Sequence, residues 1–538
     1  MGTGAPRPSA TGRAGGALTA VDTVRARPVA LPPGFGIALD GGARQVGDGT
    51  VLVGGSPIRL LRLTPSGRNL VDRLGGGEPV PPSPAAQSLT RRLLDAGLAH
   101  PRPPAPATPP DVAVVIPVRN DTAGLAATLA ALKPGPAVVV DDDSDEPSPV
   151  AGVCSPHGAT LIRRTARGGP GAARNTGWRA TTGEFVAFVD ANCEPEPGWL
   201  DRLLPHFVDP MVAAVAPRIL PGGGPAAPGW LAAYEEASSP LDLGTREAVV
   251  RPRSPVAYVP TAALVVRRCV LETLGGFDEA LPVGEDVDFI WRLVAAGWTV
   301  RYEPRATVRH PIRPSWRACL AQRYRYGSSA APLARRHGPA VAPAVVSPWT
   351  AAAWGLVAAG RPVLGAAVAG GSIATLARRL SGPDDAGRPS LTNAGRLTAA
   401  DATRPAATAA GRLPATEAVR LAGIGHLQGG LALARAARRA WPPAAVLLAA
   451  TNRRSRPVLA AAVVVPGLLD WLDRRPRLDP VRFLALRLAD DLAYAAGVWA
   501  GCARERSARA LLPQLARAPG HTLRQTDHPP SPAIGGRP

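Results

Sequence analysis

Apolar residues change their spacing several times along the chain, and each change marks an element. Within residues 31–100, GTVLVGG and PIRLLRLTP are short β-type runs around a Gly-Gly-Ser turn, and SGRNLVDRL and SLTRRLLDAGLAH then carry helical spacing. These elements predict a small winged-helix-like α+β unit, sized for recognition or for capping the next domain rather than for holding a catalytic centre. PRPPAPATPPD, residues 101–111, reads as a linker, because successive prolines hold an extended chain that neither helix nor sheet absorbs.

A different pattern begins at residue 112. VAVVIPV is a continuous apolar, β-branched run, TAGLAATLAAL has helical character, and PAVVVDDDS supplies a second buried strand that ends in acid. Strand, helix and buried strand make a βαβ unit, whose ligand sits beyond the carboxyl ends of the strands, where Asp141, Asp142 and Asp143 fall. GEFVAFVDANCEP repeats the device, ending at Asp190, Asn192 and Glu194. Two such strand ends build an acidic rim, and hard oxygen ligands of this kind suit Mg²⁺ or Mn²⁺. Between the rims, Gly168, Gly169 and Gly171 open a loop that runs into a helix carrying Arg174, Asn175 and Trp178. Backbone N–H groups at such a helix start can face an anion, with Arg174 adding charge. The spacing fits neither a P-loop nor a GxGxxG dinucleotide loop. Further on, Glu285, Asp286 and Asp288 open a helix whose apolar face is Ile290, Trp291, Leu293 and Val294. A carboxylate there can act as a general base or simply favour the helix dipole.

After residue 335 the chain turns Ala-rich. PAVAPAVVSPWTAAAWGLVAAG, residues 339–360, is about long enough to cross a bilayer, while WPPAAVLLAA and PVLAAAVVVPGLL are each too short alone. Residues 380–416 read as a linker, and residues 1–30 and 514–538 as disordered tails. Arg335, Arg336, Arg378, Arg379, Arg453, Arg454 and Arg456 flank the apolar stretches as the cytoplasmic face of a membrane requires.

Composition adds limits. Length, 538 residues, suggests about three or four folded units. The 61 basic residues include one lysine, Lys133, and the net charge of +20 favours an anionic partner without choosing among phosphorylated substrate, membrane and nucleic acid. Nucleic acid is disfavoured, since Arg91 and Arg92 are offset by Asp95 and no aromatics interleave with them. Five dispersed cysteines without a CxxC indicate neither a zinc module nor a disulfide framework, and no export signal opens the chain, so the expected location is the cytoplasmic face of the membrane.

Taken together, VVIPVRND, the AVVVDDDSDE turn, GGPGAARNTGWRATTGEFVAFVDAN, GGFDEALPVGEDVDFIWRL and QRYRYG resemble, in order and spacing, the inverting family 2 glycosyltransferases of GT-A fold, over residues 112–335. The resemblance implies donor nucleotide-sugar binding by Pro117, Asp141, Asp142, Gly171, Arg174, Asn175, Asp190 and Arg325, and a divalent metal on Asp190 and Asn192. It implies catalysis by Asp286 as base with Glu285 beside it, and an acceptor or processivity element of Gln322, Arg325 and Tyr326. Asn192 departs from the family's second Asp, Tyr326 from its Trp, and Asp143 from its Gly. The remaining parts, the 31–100 unit with a PqqD-like pattern and the Ala-rich 336–513 region, are similar to glycosyltransferases of the mycofactocin system. That likeness implies glucose units, β-1,4-linked, passed from a nucleotide donor such as UDP-glucose to premycofactocin, a peptide-derived redox cofactor. A cell-envelope glycolipid or polysaccharide transferase is the competing reading, and a nucleic-acid-binding regulator a remote one.

Overall fold

Val112–Val118, Ala137–Asp141 and Phe185–Val189 are apolar on both faces, which suits strands covered on both sides, and all three lie parallel in one sheet. In the computed structural model, which describes residues 29–55, 57–132, 137–223, 229–381 and 413–516, this sheet has nine strands. Its order is Glu194–Pro195, Thr299–His310, Val212–Pro221, Ala263–Arg267, Phe185–Val189, Val112–Val118, Ala137–Asp141, Thr160–Arg163, with Ala248–Val249 beside Thr299–His310. Ala263–Arg267 runs antiparallel to both of its neighbours, so the sheet is mixed. Val112–Val118 lies between the strand that follows it and Phe185–Val189, so a crevice opens at their carboxyl ends. Two apolar clusters pack the sheet, one built on Phe188, Phe277, Phe289 and Trp291, the other on Phe185, Trp199, Phe207 and Val215.

The N-terminal part holds a three-stranded antiparallel sheet, Arg44–Val46, Val51–Gly54 and Arg59–Arg62, and the helices Pro65–Gly75 and Pro84–Ala96. Thr64 and Ser83 cap those helices by accepting from Gly67 N–H and Ala86 N–H, and a proline follows each cap. Ala99–Arg102 pairs with Gly36–Leu39, so the first two residues of the expected linker belong to a strand. This part is fastened to the transferase domain by Arg91, whose two terminal nitrogens donate to Asp209 at 2.5 and 2.9 Å, and by Arg102 to Glu247 at 2.8 Å. Arg91 is thereby spent inside the molecule, not offered to a phosphate backbone.

The Ala-rich region is helical: Pro348–Ala358, Pro362–Ser381, Ala415–Arg439, Pro442–Thr451, Arg456–Arg474 and Pro480–Arg504. The expected span over 339–360 is corrected, because it breaks into a 3-10 turn, a two-residue strand and an 11-residue helix. Among the described residues the helices long and apolar enough to cross a membrane are instead Pro362–Ser381 and Arg453–Arg474, with only 11% and 17% of their windows buried. PVLAAAVVVPGLL therefore lies inside a longer helix than its own length indicates. Of the flanking arginines, Arg335 pairs with Glu505 and Arg336 with Asp278. Gln514–Leu515 pairs with Val345–Val346, so the C-terminal tail begins later than residue 514. The tail expected over 1–30 lies outside the described residues up to 28, as do 382–412 of the expected linker and 517–538.

Candidate active site

The acidic strand ends meet at the crevice, but most of their oxygens are already engaged. Asp141 is fully buried; Ser144 N–H donates to Oδ1 at 3.0 Å and Arg163 Nη1 to Oδ2 at 2.7 Å. Asp142 accepts from Gly168 N–H at 2.9 Å and Gly169 N–H at 2.7 Å, and Arg164 pairs with it at 2.9 Å. The Gly-rich loop thus gives two amides to Asp142, which corrects the expectation that these amides face an anionic ligand. Pro117, which has no N–H, pairs with Val140 one position before the end of its strand.

The Gly169–Arg179 helix carries the residues that join the rims. Arg174 is 3% exposed and donates to Asp190 Oδ1 at 2.6 Å and Glu285 Oε1 at 3.0 Å, bridging a strand end 16 residues from it to a helix start 111 residues from it. Burial alone would lower its pKa; Asp190, Glu285 and Asp286 outweigh that and raise it, so the guanidinium stays charged. Gly171 packs against Glu285 and Phe277. Asn175, expected to bind donor, spends its side chain on the protein: Nδ2 donates to Phe277 O and Glu279 Oε1, both at 2.8 Å, and Oδ1 accepts from Phe277 N–H and Trp178 Nε1–H. These bonds hold the Gly275–Glu279 loop. A Cβ on Gly276, at φ +74°, would stand 2.3 Å from Asn175 Oδ1, so only glycine fits.

The three acids of the Glu285–Ala295 helix separate by environment. Asp288 is 1% exposed and held by Arg292 at 2.8 Å and His337 at 2.9 Å, and Glu285 is held by Arg174. Asp286 accepts a single bond, from Val287 N–H at 2.8 Å, and among the described residues no arginine pairs with it. Burial, then the Glu285 charge, push its carboxyl up to about 7. An acid so placed is half ionised near neutrality, which suits proton abstraction.

Among the described residues Asp190 Oδ2 has no hydrogen-bond partner and Asn192 Oδ1 meets the Cys193 thiol alone, at 3.9 Å. One carboxylate and one amide oxygen fit a hard divalent ion that takes its other ligands from water and phosphate. No group of three metal-ligating side chains stands together among the described residues.

The QRYRYG stretch lies in the Trp316–Ser328 helix, where Cys319, Gln322, Arg323 and Gly327 face inward. Gln322 donates to the Tyr326 hydroxyl at 2.9 Å, and burial, then Asp286, push that phenol up to about 12, so Tyr326 borders the acid site. Arg325 is exposed and makes no side-chain pair among the described residues. The buried member is Arg323, which the sequence reading passed over: it pairs with Glu235 and, at 2.9 Å, with Asp490 of the C-terminal helix. The 319, 322, 323, 327 stripe is helical spacing and was available as a signal. Arg163 and Arg164 were also missed; they carry a visible sign, a basic pair closing the strand next to the acidic turn.

This arrangement defines a class of enzyme, the family 2 glycosyltransferases: the glycosyl transferase family 2 model matches residues 113–273. Two Mycobacterium tuberculosis proteins, from strains CDC 1551 and H37Rv and each described as pre-mycofactocin glycosyltransferase, are 42% identical over 496 residues, 90% of this chain and 98% of theirs. The chain belongs to the family of these pre-mycofactocin glycosyltransferases. It is also 28% identical to glycosyltransferase AglE of Haloferax volcanii over 233 residues, 41% of this chain and 73% of that one. Among solved structures, mannosyltransferase PcManGT from Pyrobaculum calidifontis in complex with GDP-Man and Mn²⁺ is 22% identical, covers 42% of this chain and 63% of that one, and has a TM-score of 0.32.

Proposed function

We propose that this chain transfers glucose, with inversion, from UDP-glucose to premycofactocin and then onto the growing β-1,4-linked oligosaccharide. The reading of donor and acceptor rests on the 42% identity to the M. tuberculosis relatives. The catalytic role rests on one observation: of three acids opening the Glu285–Ala295 helix, only Asp286 is left without a cationic partner, at a rim shared with Asp190. Asp286 takes the proton of the acceptor hydroxyl, the oxygen bonds to the anomeric carbon, and the bond from that carbon to the diphosphate breaks, releasing UDP. Asp141 and Asp142 shape the nucleotide end, Asp142 by fixing the glycine loop. Asp190 and Asn192 would hold Mg²⁺ or Mn²⁺, which supplies charge against the leaving diphosphate when bound. Arg174 holds Asp190 and Glu285 in register and keeps positive charge in the same crevice. Tyr326 and Gln322 border the acceptor side, and exposed Arg325 lies on the outer face of their helix. The two exposed apolar helices and Arg453, Arg454 and Arg456 support a location on the cytoplasmic face of the membrane.

The test is mass spectrometry of small-molecule extracts from cells with and without an intact gene. Loss of a hexose ladder on a small redox cofactor supports the proposal. A ladder that persists while envelope glycans change favours the glycolipid or polysaccharide reading, to which the two apolar helices would then belong.

A further inference from the structure

The loop that follows the Thr299–His310 strand runs beside the turn carrying Asp190 and Asn192. Glu194 pairs with Arg309 and Pro195 with Val308 in antiparallel register, so the chain leading back from Glu194 to Asp190 lies alongside the chain leading on from Arg309 to Arg313. Glu196 N–H donates to Thr307 O at 3.0 Å, and the Thr307 hydroxyl to Glu196 Oε2 at 2.6 Å, which fixes that register. On its other side the loop meets the Trp316–Ser328 helix, where Arg313 and Gln322 border one narrow recess and Gln322 bonds the Tyr326 hydroxyl. The charges report the same neighbourhood. Burial lowers the His310 pKa, and Asp190 and Arg313 bear on it with opposite signs. Burial raises the Tyr326 phenol, on which Asp286, Arg313 and Asp190 all act. Arg313 therefore shares the crevice of Asp190 and Asp286.

Its neighbours are spoken for and it is not. Arg174 is committed to Asp190 and Glu285, Arg163 to Asp141, Arg164 to Asp142 and Arg323 to Glu235 and Asp490. Among the described residues Arg313 makes no hydrogen bond or ion pair: Nε is closed off from water without an acceptor, and the terminal nitrogens stay open. A buried donor left open is costly unless a ligand or water satisfies it. Arg325, to which the family resemblance gives a donor contact, is exposed. An unpaired guanidinium beside Asp190 and Asn192 suits an anion brought by the substrate, and phosphate oxygens match its fork of donors.

We propose that Arg313, rather than Arg325, is the arginine that donates to the terminal phosphate of the nucleotide sugar. As the acceptor oxygen bonds to the anomeric carbon, the bond from that carbon to the phosphate oxygen breaks and its electron pair stays on the oxygen. Arg313 donates to the charge that builds there and gives up no proton; the acceptor proton goes to Asp286. The inference rests on the proposed nucleoside diphosphate donor and adds the side chain that reads its diphosphate.

Calorimetry on the full chain with Mg²⁺ compares UDP with UMP, which lacks the terminal phosphate, in wild type, Arg313→Gln and Arg313→Lys. Initial rates with UDP-glucose and premycofactocin are taken on the same samples. Arg313→Gln is expected to weaken UDP by about tenfold or more with UMP within about twofold, and to lower kcat by about 10²-fold. Arg313→Lys, which keeps the charge and loses the fork, should recover part of both effects. Melting temperatures should stay near wild type, since no internal partner is lost. An unchanged preference for UDP over UMP in Arg313→Gln overturns the contact, and a preference lost instead in Arg325→Gln returns it to that residue. Equal weakening of UDP and UMP also overturns it, as does a raised acceptor KM with nucleotide binding intact. A wild type that binds UDP no tighter than UMP overturns the diphosphate donor and this contact together.

Discussion

At the residue scale, three neighbouring acids, Glu285, Asp286 and Asp288, are made unequal by what surrounds them. Asp286→Asn should lower kcat by about 10²- to 10⁴-fold while UDP affinity, measured by calorimetry, stays near wild type; retained turnover would remove Asp286 from the base role. Because its carboxyl is pushed up to about 7, kcat should rise with pH through that region. The same shift sets a stability trend: the folded state keeps a proton that the unfolded chain releases from about pH 4 upward, so stability falls as pH rises toward 7. Asp286→Asn should therefore melt higher than wild type at pH 8, a difference readable by calorimetry. Asp142→Ala frees two glycine amides and should raise the UDP-glucose KM with little change in kcat. These acids were legible in sequence because each ends an apolar run or opens a helix. Arg174 was legible only as a charge, since its partners lie 16 and 111 residues away. The internal bonds of Asn175 were not legible, because a polar residue in a motif gives no sign of which partners it meets.

At the scale of elements, two helices explain why QRYRYG has a buried and an exposed arginine. The Trp316–Ser328 and Pro480–Arg504 helices cross so closely that a Cβ on Gly327 would stand 2.0 Å from Tyr494 O, and one on Gly497 2.0 Å from Tyr324 O. At this crossing Arg323 meets Asp490, and Asp490 also accepts from Tyr234 at 2.7 Å. Gly327→Ala should cost about 1–3 kcal/mol of stability, seen as a lower melting temperature. Arg323→Met, which takes the buried guanidinium from Glu235 and leaves Asp490 to Arg487 and Tyr234, should cost about 3–5 kcal/mol. Strand positions and the βαβ order were written plainly in apolar runs. The Ala-rich helices were not, because alanine carries little amphipathic contrast and Pro466 inside Arg456–Arg474 made one long helix read as a short one.

At the scale of the molecule, exposed apolar residues gather on the helical C-terminal part. Val463, Val464, Val465, Leu468, Leu469 and Leu472 share one helix and are between 36% and 52% exposed. This surface, with the arginines preceding it, should bring the full chain to anionic vesicles in a flotation assay. Val464→Asp with Leu468→Asp should reduce flotation without altering transfer to a soluble acceptor; equal flotation of both forms would detach the membrane from this surface.

The crossing of the last long helix over the Trp316–Ser328 helix also decides what can be cut away. A fragment ending near residue 340 would retain every motif by which the enzyme class is recognised, yet expose the glycine face at 327 and strand Arg323 and Tyr234 without Asp490. Minimal versions of this transferase, for crystals or for grafting onto other recognition modules, must therefore carry the C-terminal helix with them, supplied in trans if not in the same chain.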